Sequence, residues 1–146
     1  MKTMKKLFSL ALCITLVLSV MLCAVGCTPD RPDPETLWDG ATYKEDTVLG
    51  DGEKTVVVEV VIEEHSVKFT IHTDKVTVGE ALIEHGIVEG DEGAYGLYVK
   101  KVNGILADYD VDQTYWEFYI NGDYALSGIE LTEINESDEY KIVYTK

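Results

Sequence analysis

Cysteine and proline are scarce in this 146-residue chain, and the few that occur lie near its amino end. The three cysteines are Cys13, Cys23 and Cys27, so no thiol follows residue 27 to form a disulfide, a zinc site or a nucleophile. The three prolines all lie between residues 29 and 34. A domain built from the remaining residues must therefore be held together by packing and hydrogen bonds alone.

Positive charge is scarce as well. Three of the 12 Lys and Arg residues precede Cys27, so nine basic side chains face all 27 acidic ones after it, a net charge of −18. A surface of this kind is soluble and repels phosphate backbones and anionic headgroups. The sequence therefore argues against nucleic acid as a partner.

The first 27 residues have the pattern of a secretory signal. Three lysines within the first six residues precede an apolar run from Leu7 to Val25 that contains no charge. A run of that length also suits an uncleaved membrane anchor. The small residues before Cys27 favour cleavage instead, and Ala24 to Cys27 resemble the lipobox of bacterial lipoproteins, in which the cysteine carries a lipid. We therefore predict a lipoprotein signal peptide over residues 1–27, lipidation of Cys27 and an extracytoplasmic location on the cell membrane.

The chain changes character twice after Cys27. Residues 28–52 are acidic, contain all the prolines and show little periodicity, which predicts an extended tether. Trp38 and Tyr43 are the side chains within it that suit packing back onto a domain. Residues 53–146 show strand and helix periods and predict one folded domain.

That domain begins with two β-branched runs that predict a hairpin, and Val67, Phe69 and Ile71 share its core face. A helical period follows in "TVGEALIEHG", where Thr77 and Glu80 have the spacing of a capping box. The acidic stretch "IVEGDEGA" predicts a mobile loop, and three more strand patterns come after it. The order β-β-α-β-β-β predicts a small α+β domain of the β-grasp kind, with one mixed sheet and one helix.

The aromatic stretch "YWEFYINGDYALSG", residues 115–128, is the most informative part of the domain. Strand alternation assigns Trp116, Phe118 and Ile120 to a core face, and Tyr115, Glu117 and Tyr119 to a wet face. Tyrosines on a wet face offer a flat apolar body with a polar tip, as recognition surfaces do. They also simply favour β structure, so both interpretations stay open.

Four segments in order resemble the DUF4430 family, the transcobalamin-like C-terminal domain. They are "VTVGEALIEHG", "YGLYVKKVNGI", "YWEFYINGDYALSGI" and "DEYKIVYTK", and they cover Val76 to Lys146. The resemblance implies a small β-rich domain that, in animal vitamin B12 carriers, closes over one face of the corrin ring. It implies cobalamin or a similar corrinoid as the bound ligand here. The residues that match the family's pattern, and are therefore the predicted ligand-binding residues, are Tyr95, Tyr98, Tyr115, Trp116, Tyr119, Asn121, Leu126 and Gly128.

Two departures from the family pattern limit what the resemblance implies about ligand binding by this chain. The helical domain that holds the other face of the corrin is missing, and Ser137 replaces a glycine that is common in bacterial members. A ligand on a single protein wall keeps half its surface wet, so we expect micromolar or weaker affinity, on the order of −8 kcal/mol or less favourable.

Catalytic and metal-binding patterns are weak. Asp108, Asp110 and Asp112 alternate like the start of a calcium loop, but Gln113 and Tyr119 occupy positions that an EF-hand gives to other residues. A looser calcium site stays open. No histidine has a second metal ligand at helical spacing, although His85 could serve as an axial ligand to cobalt. We therefore expect no enzyme activity and no cofactor beyond the lipid and a bound corrinoid.

Two functions of different classes fit these observations. The first is a lipid-anchored binding protein that captures a corrinoid for a membrane transporter. The second is a cell-surface module that contacts a protein or glycan through its tyrosine face or a strand edge. A concave, partly apolar shelf formed by the tyrosines would favour the first function.

Overall fold

The computed structural model describes residues 34–146. The predicted signal peptide and its lipidation site, Cys27, lie outside this range. Within it, no helix is long and apolar enough to cross a membrane.

The described chain is mostly β, with short helices between strands. Its strands are β1 (Thr47–Gly50), β2 (Lys54–Ile62), β3 (His65–Thr73), β4 (Val88–Gly93), β5 (Gly96–Val102), β6 (Ile105–Leu106), β7 (Tyr115–Ile120), β8 (Asp123–Tyr124) and β9 (Glu139–Thr145). Its helices are α1 (Pro34–Asp39), α2 (Val78–Glu84) and α3 (Tyr109–Asp112), followed by a 3₁₀ turn at Ile129–Leu131.

The strands form two sheets, so the prediction of one mixed sheet is wrong. The larger sheet has the order β1-β3-β2-β9-β7-β8, in which β1 runs parallel to β3 and β2 runs parallel to β9. The smaller sheet is antiparallel, with the order β4-β5-β6. Alternation along a strand shows which side chains share a face but not which strands pair with each other. The sequence pattern therefore could not predict that the strands divide into two sheets. The β-grasp class stays a prediction.

The hairpin of β2 and β3 is confirmed and forms one side of the core. Val67, Phe69 and Ile71 are fully buried, as predicted from their alternation. Helix α2 packs against the same core, which also contains Val78 and Leu82.

Helix α2 begins and ends as its sequence predicts. The Thr77 hydroxyl accepts a hydrogen bond from Glu80 N, and the Glu80 carboxylate accepts one from Thr77 N, which completes the capping box. The hydrogen bond from Thr77 N to the Glu80 carboxylate, and to a lesser extent the one from Val76 N, lowers the pKa of Glu80. Gly86 follows the helix with φ +66°, a conformation that suits glycine.

The predicted tether over residues 28–52 is structured from residue 34 onward. Strand β1 pairs with Phe69–His72 of β3, and Ala41 is buried. Trp38 stacks on His65 at a centroid distance of 5.1 Å, and Tyr43 packs edge-on against Phe69. Aromatic packing and strand pairing therefore extend the folded domain to the amino-terminal side of its predicted start at residue 53.

The predicted mobile loop "IVEGDEGA" is also wrong over most of its length. Residues Val88–Gly93 form β4, which pairs with β5 through a register shift between Glu89 and Gly90. All its residues after Val88 are exposed, so it shows no apolar alternation. A strand at a wet sheet edge gives no such signal, since neither of its faces is buried.

Asn103 fastens the amino-terminal segment to the smaller sheet. It is buried, has φ +50° and lies in the turn between β5 and β6. Its side chain accepts a hydrogen bond from Tyr43 N (2.9 Å) and donates one to Tyr43 O (2.8 Å). Its backbone oxygen accepts a third, from Thr42 N.

Replacing Asn103 with Gly is expected to release residues 41–43. Glycine tolerates the positive φ, so the loss would come from the two side-chain hydrogen bonds, about 1–3 kcal/mol of unfolding free energy. Urea unfolding measures that loss, and amide exchange at Tyr43 locates it. Asn103→Asp keeps the acceptor but sets a buried carboxylate against Tyr43 O, so it should be destabilised at least as much as the Gly variant. Unchanged protection of the Tyr43 amide in the Gly variant would contradict the assignment.

Tyr140 likewise fastens a loop, the one that precedes β9. Its buried hydroxyl accepts a hydrogen bond from Asn135 N at 2.9 Å and lies 3.3 Å from Asn135 O. The ring stacks on Phe118 with centroids 6.1 Å apart. This side chain therefore fixes the loop that leads into β9.

Replacing Tyr140 with Phe would remove the hydroxyl that accepts the hydrogen bond from Asn135 N, while the ring stays in place. We expect the free energy of unfolding to fall by about 1–2 kcal/mol, measured by urea denaturation. Tyr124→Phe, at an exposed position, is the matched control and should change stability by less than about 0.5 kcal/mol. Equal effects of the two variants would refute a structural function for the Tyr140 hydroxyl.

Candidate ligand-binding groove

A groove of about 780 Å³ lies between the two sheets. Strand β5 forms one side and β7 the other, while α3 and the segment after β8 border its ends. The lining residues are Leu97, Tyr98, Val99, Tyr109, Gln113, Tyr115, Trp116, Phe118, Tyr124, Ala125, Leu126, Ser127, Gly128, Ile129, Ile142 and Lys146.

The floor of the groove is an uncovered part of the core. Trp116 and Phe118 pack against the core but stay half-buried, and the fully buried Ile142 lies beside Phe118 across the ladder of β7 and β9. The Trp116 indole is held by Tyr144, whose ring meets it edge-on at 5.2 Å, and by a 3.3 Å hydrogen bond from Nε1 to Lys100 O. The floor is thus apolar and fixed in position.

The rim exposes large apolar side chains. Leu126 is fully exposed, Tyr124 is 60% exposed and Tyr98 is 47% exposed. Glu130 holds this side of the groove together, because its carboxylate accepts a 2.7 Å hydrogen bond from Leu97 N on β5. Exposed aromatic and aliphatic side chains around a concavity are typical of ligand sites.

The groove lining is nearly uncharged, although the protein is strongly acidic. Lys146 is the one ionisable side chain besides the tyrosines among its lining residues. The other polar contributions come from Gln113, Ser127 and tyrosine hydroxyls. Such a lining suits a ligand with a large neutral surface.

Five of the eight predicted ligand-binding residues line this groove: Tyr98, Tyr115, Trp116, Leu126 and Gly128. Tyr95 lies at the tip of the β4–β5 hairpin and is 93% exposed. Asn121 fixes a turn, where its side chain contacts Asp138 Oδ1 and Glu139 N at 2.9 Å each. That the five groove residues bind a ligand stays a prediction.

Tyr119 is absent from the lining, and its hydroxyl bonds to Glu117 instead. The Tyr119 hydroxyl donates a 2.7 Å hydrogen bond to one Glu117 oxygen, and the Tyr115 hydroxyl donates a 3.2 Å bond to the other. The hydrogen bond to Glu117 raises the pKa of Tyr119. Burial, with the nearby Glu117 charge second, raises the pKa of Tyr115. The wet face of β7 is therefore an ordered cluster, with Tyr124 packed edge-on against Tyr119.

The raised pKa values predict a specific alkaline titration. Both phenols should ionise above the usual value of 10.0, because burial and then the Glu117 charge raise the pKa of Tyr115, and the hydrogen bond to Glu117 raises the pKa of Tyr119. Since the folded-state pKa lies above the unfolded one, this contribution to stability is complete below pH 10 and is lost as pH rises through the folded values. Glu117→Gln should lower both apparent pKa values, seen as earlier phenolate absorbance.

The matched control for this titration is Glu59→Gln, on the same sheet face but paired with Lys141 at 3.2 Å. It should leave the tyrosine titration unchanged. Identical curves for the wild type and Glu117→Gln would contradict the cluster.

Sequence reasoning missed several groove residues. Tyr124 lies within the aromatic stretch but was not selected, and Phe118 was assigned to the core alone. Tyr109 lies between Asp108 and Asp110 and packs edge-on against Tyr115 at 6.2 Å. Leu97 and Val99 come from the other sheet. Alternation could have marked Tyr124, but no local pattern reveals that β5 faces β7.

Two of the three aspartates of the possible calcium loop, Asp108 and Asp112, accept hydrogen bonds within the loop through their carboxylates. Asp108 caps α3 by accepting from Asp110 N, and Asp112 accepts from Thr114 N and its hydroxyl. Among the residues that the structure describes, no three His, Cys, Asp or Glu side chains converge as a metal site. These carboxylates order the loop between β6 and β7.

The histidines are dispersed, and none lies among the residues that line the groove. His72 Nδ1 lies 3.1 Å from the Thr55 hydroxyl. His85 ends α2, and its ring borders a separate cavity of about 410 Å³ beside Gly50 and His72. The structure therefore separates His85 from the groove in which a corrinoid would have to lie.

The DUF4430 model, a domain of unknown function, matches residues 75–146. This segment is a DUF4430 domain, as its sequence motifs predict. It contains α2, the smaller sheet and β7 to β9, and therefore every lining residue of the groove. Strands β1 to β3 complete the larger sheet from outside the matched segment.

The solved structures that resemble the chain include the following two. One is a candidate metal-binding protein from Ruminococcus gnavus ATCC 29149, with 26% identity and a TM-score of 0.60 over 64% of this chain and 98% of that one. The other is haptocorrin in complex with Cbi, with 20% identity and a TM-score of 0.49 over 64% of this chain and 25% of that one. Among curated proteins, none matches the sequence.

Proposed function

We propose that this protein is a non-catalytic, lipid-anchored binding protein on the extracytoplasmic face of the membrane, and that its groove captures a flat, partly apolar small molecule. The observation that carries this proposal is the groove itself, which joins an apolar floor at Trp116 and Phe118 to an exposed rim at Tyr98 and Leu126. A rigid floor with a neutral lining recognises shape and apolar area, not charge.

A corrinoid is the specific ligand that we propose. Its support is the resemblance of the groove-forming segments to the transcobalamin-like domain, together with the size and flatness of the site. The neighbour from Ruminococcus gnavus is named for metal binding, and a corrinoid brings its own cobalt. Delivery to a membrane transporter would follow from an anchor at Cys27.

A single open groove leaves one side of a planar ligand exposed. About half of its apolar area would stay in water, so the area buried would offset little more than the lost translational and rotational freedom. We therefore propose that the isolated domain binds at micromolar or weaker affinity, and that a transporter subunit or another protein supplies the second wall. The alternative function, a protein or glycan contact, would use the same exposed rim.

Titrating residues 28–146 with cobalamin tests the proposal. Binding should change the corrin absorbance and quench tryptophan fluorescence, because Trp116 forms part of the floor. Leu126→Ala, at a fully exposed position, should weaken binding about three- to tenfold through lost apolar contact while leaving the melting temperature unchanged.

Leu131→Ala is the matched control, because Leu131 is 63% exposed but is not among the lining residues. It should bind as the wild type does. The absence of any spectral change at millimolar cobalamin would refute the corrinoid proposal, and equal losses in the two variants would refute its assignment to the groove.

A further inference from the structure

Two strand edges border the groove, and neither is fully paired. Strand β8 pairs with β7 only at Tyr119 and Ile120. The last hydrogen bond on that side runs from Ala125 N to Phe118 O at 2.9 Å. Towards its amino end, β7 therefore has an open edge beside the groove.

The direction of the open backbone groups follows from strand geometry. In an antiparallel ladder the N–H and C=O of one residue point to the same side, and consecutive residues alternate. Phe118 O points away from β9, and Asn121 N points towards it, where it bonds to Glu139 O. The N–H and C=O of Trp116 and the N–H of Phe118 therefore point away from β9, towards the groove.

The facing edge of β5 is open in the same way. The hairpin at Gly93 and Gly96 directs the backbone of Gly96 and Tyr98 towards β4, so the backbone of Leu97 points the other way. The bond from Leu97 N to the Glu130 carboxylate agrees with this direction. The Leu97 C=O thus borders the groove from the side opposite β7.

Residues 34–146 supply no hydrogen-bond partner for these groove-facing groups of Leu97, Trp116 and Phe118, apart from the two bonds already given. Water satisfies them when the groove is empty. A ligand that displaces this water must replace its hydrogen bonds, since a desolvated and unpaired amide group costs affinity. Because donors and acceptors both border the groove, the ligand must supply both as well.

We propose that the groove selects ligands that carry uncharged amide groups on an apolar framework. This inference rests on the proposed function for the position of the site, and it adds the chemistry that the site recognises. A carboxamide donates and accepts, so it can pair with open N–H and C=O groups alike. An ester only accepts, and a hydrocarbon does neither.

Charge disfavours the acidic counterpart of an amide. A carboxylate only accepts, and it would enter a protein with a net charge of −18 after Cys27. Among the lining residues only Lys146 offers a compensating positive charge. Amide, ester and carboxylate forms of one framework should therefore bind in that order.

The first experiment compares three forms of one corrinoid by calorimetric titration of wild-type residues 28–146. The forms carry their peripheral groups as carboxamides, methyl esters or free carboxylates. We expect the ester to bind about tenfold more weakly than the amide, because an ester has no N–H to donate to the open C=O groups of the groove. We expect the carboxylate to bind more weakly still.

The second experiment uses a ligand without a corrin ring. A capped, uncharged tetrapeptide of alternating Val and Thr is compared with the depsipeptide in which two of its amides are esters. The peptide should bind at least about fivefold more tightly. Leu126→Ala should weaken both, and Leu131→Ala should weaken neither.

The outcomes separate the two proposals. An amide preference in either series supports amide selection. If no corrinoid binds but the peptide still binds more tightly than the depsipeptide, the corrinoid proposal fails and amide selection stands. If neither series shows a preference for the amide, amide selection is overturned, whatever the affinity for corrinoids.

Discussion

The parallel pairing of β2 with β9 is the contact on which the rest of the structure depends. It joins the amino-terminal hairpin to the carboxy-terminal strand and places Val58 beside Tyr140, and Val60 beside Ile142. All four side chains are buried. Strand β9 also pairs with β7 along the full length of β7. It therefore joins the strand that contains the aromatic groove residues to the buried core. The groove floor is therefore as rigid as the sheet itself.

The groove exists because the two sheets approach each other without pairing. Strand β5 turns its edge towards β7, but their link is a side-chain hydrogen bond from Trp116 to Lys100 O and not a strand ladder. Glu130 closes one end by holding the 3₁₀ turn to Leu97. A continuous sheet would have covered Trp116 and Phe118 and satisfied their backbone groups. The same gap thus leaves both an apolar floor and open hydrogen-bonding edges.

Local patterns predicted the elements well but not their assembly. The β2–β3 hairpin and the capping box of α2 follow from chemistry within a few residues, and both are present. The predictions of a tether over the described residues 34–52, of a mobile loop and of a single sheet were wrong because the observed structure depends on distant contacts, such as Tyr43 with Asn103. Five groove residues were selected because the family motif covers them. Leu97 and Val99 were missed because they are opposite Trp116 only in the folded protein.

An exposed apolar rim would ordinarily promote association between copies of a protein. Here each copy carries a large negative charge, so two copies repel each other before their rims can meet. A small neutral ligand is not repelled, since it carries no charge for the field to act on. The acidic surface therefore discriminates by charge at long range, while the groove discriminates by shape and hydrogen bonding at contact. This combination permits an open apolar site even at the high local density that the proposed membrane anchor would give, where self-association would otherwise compete with ligand.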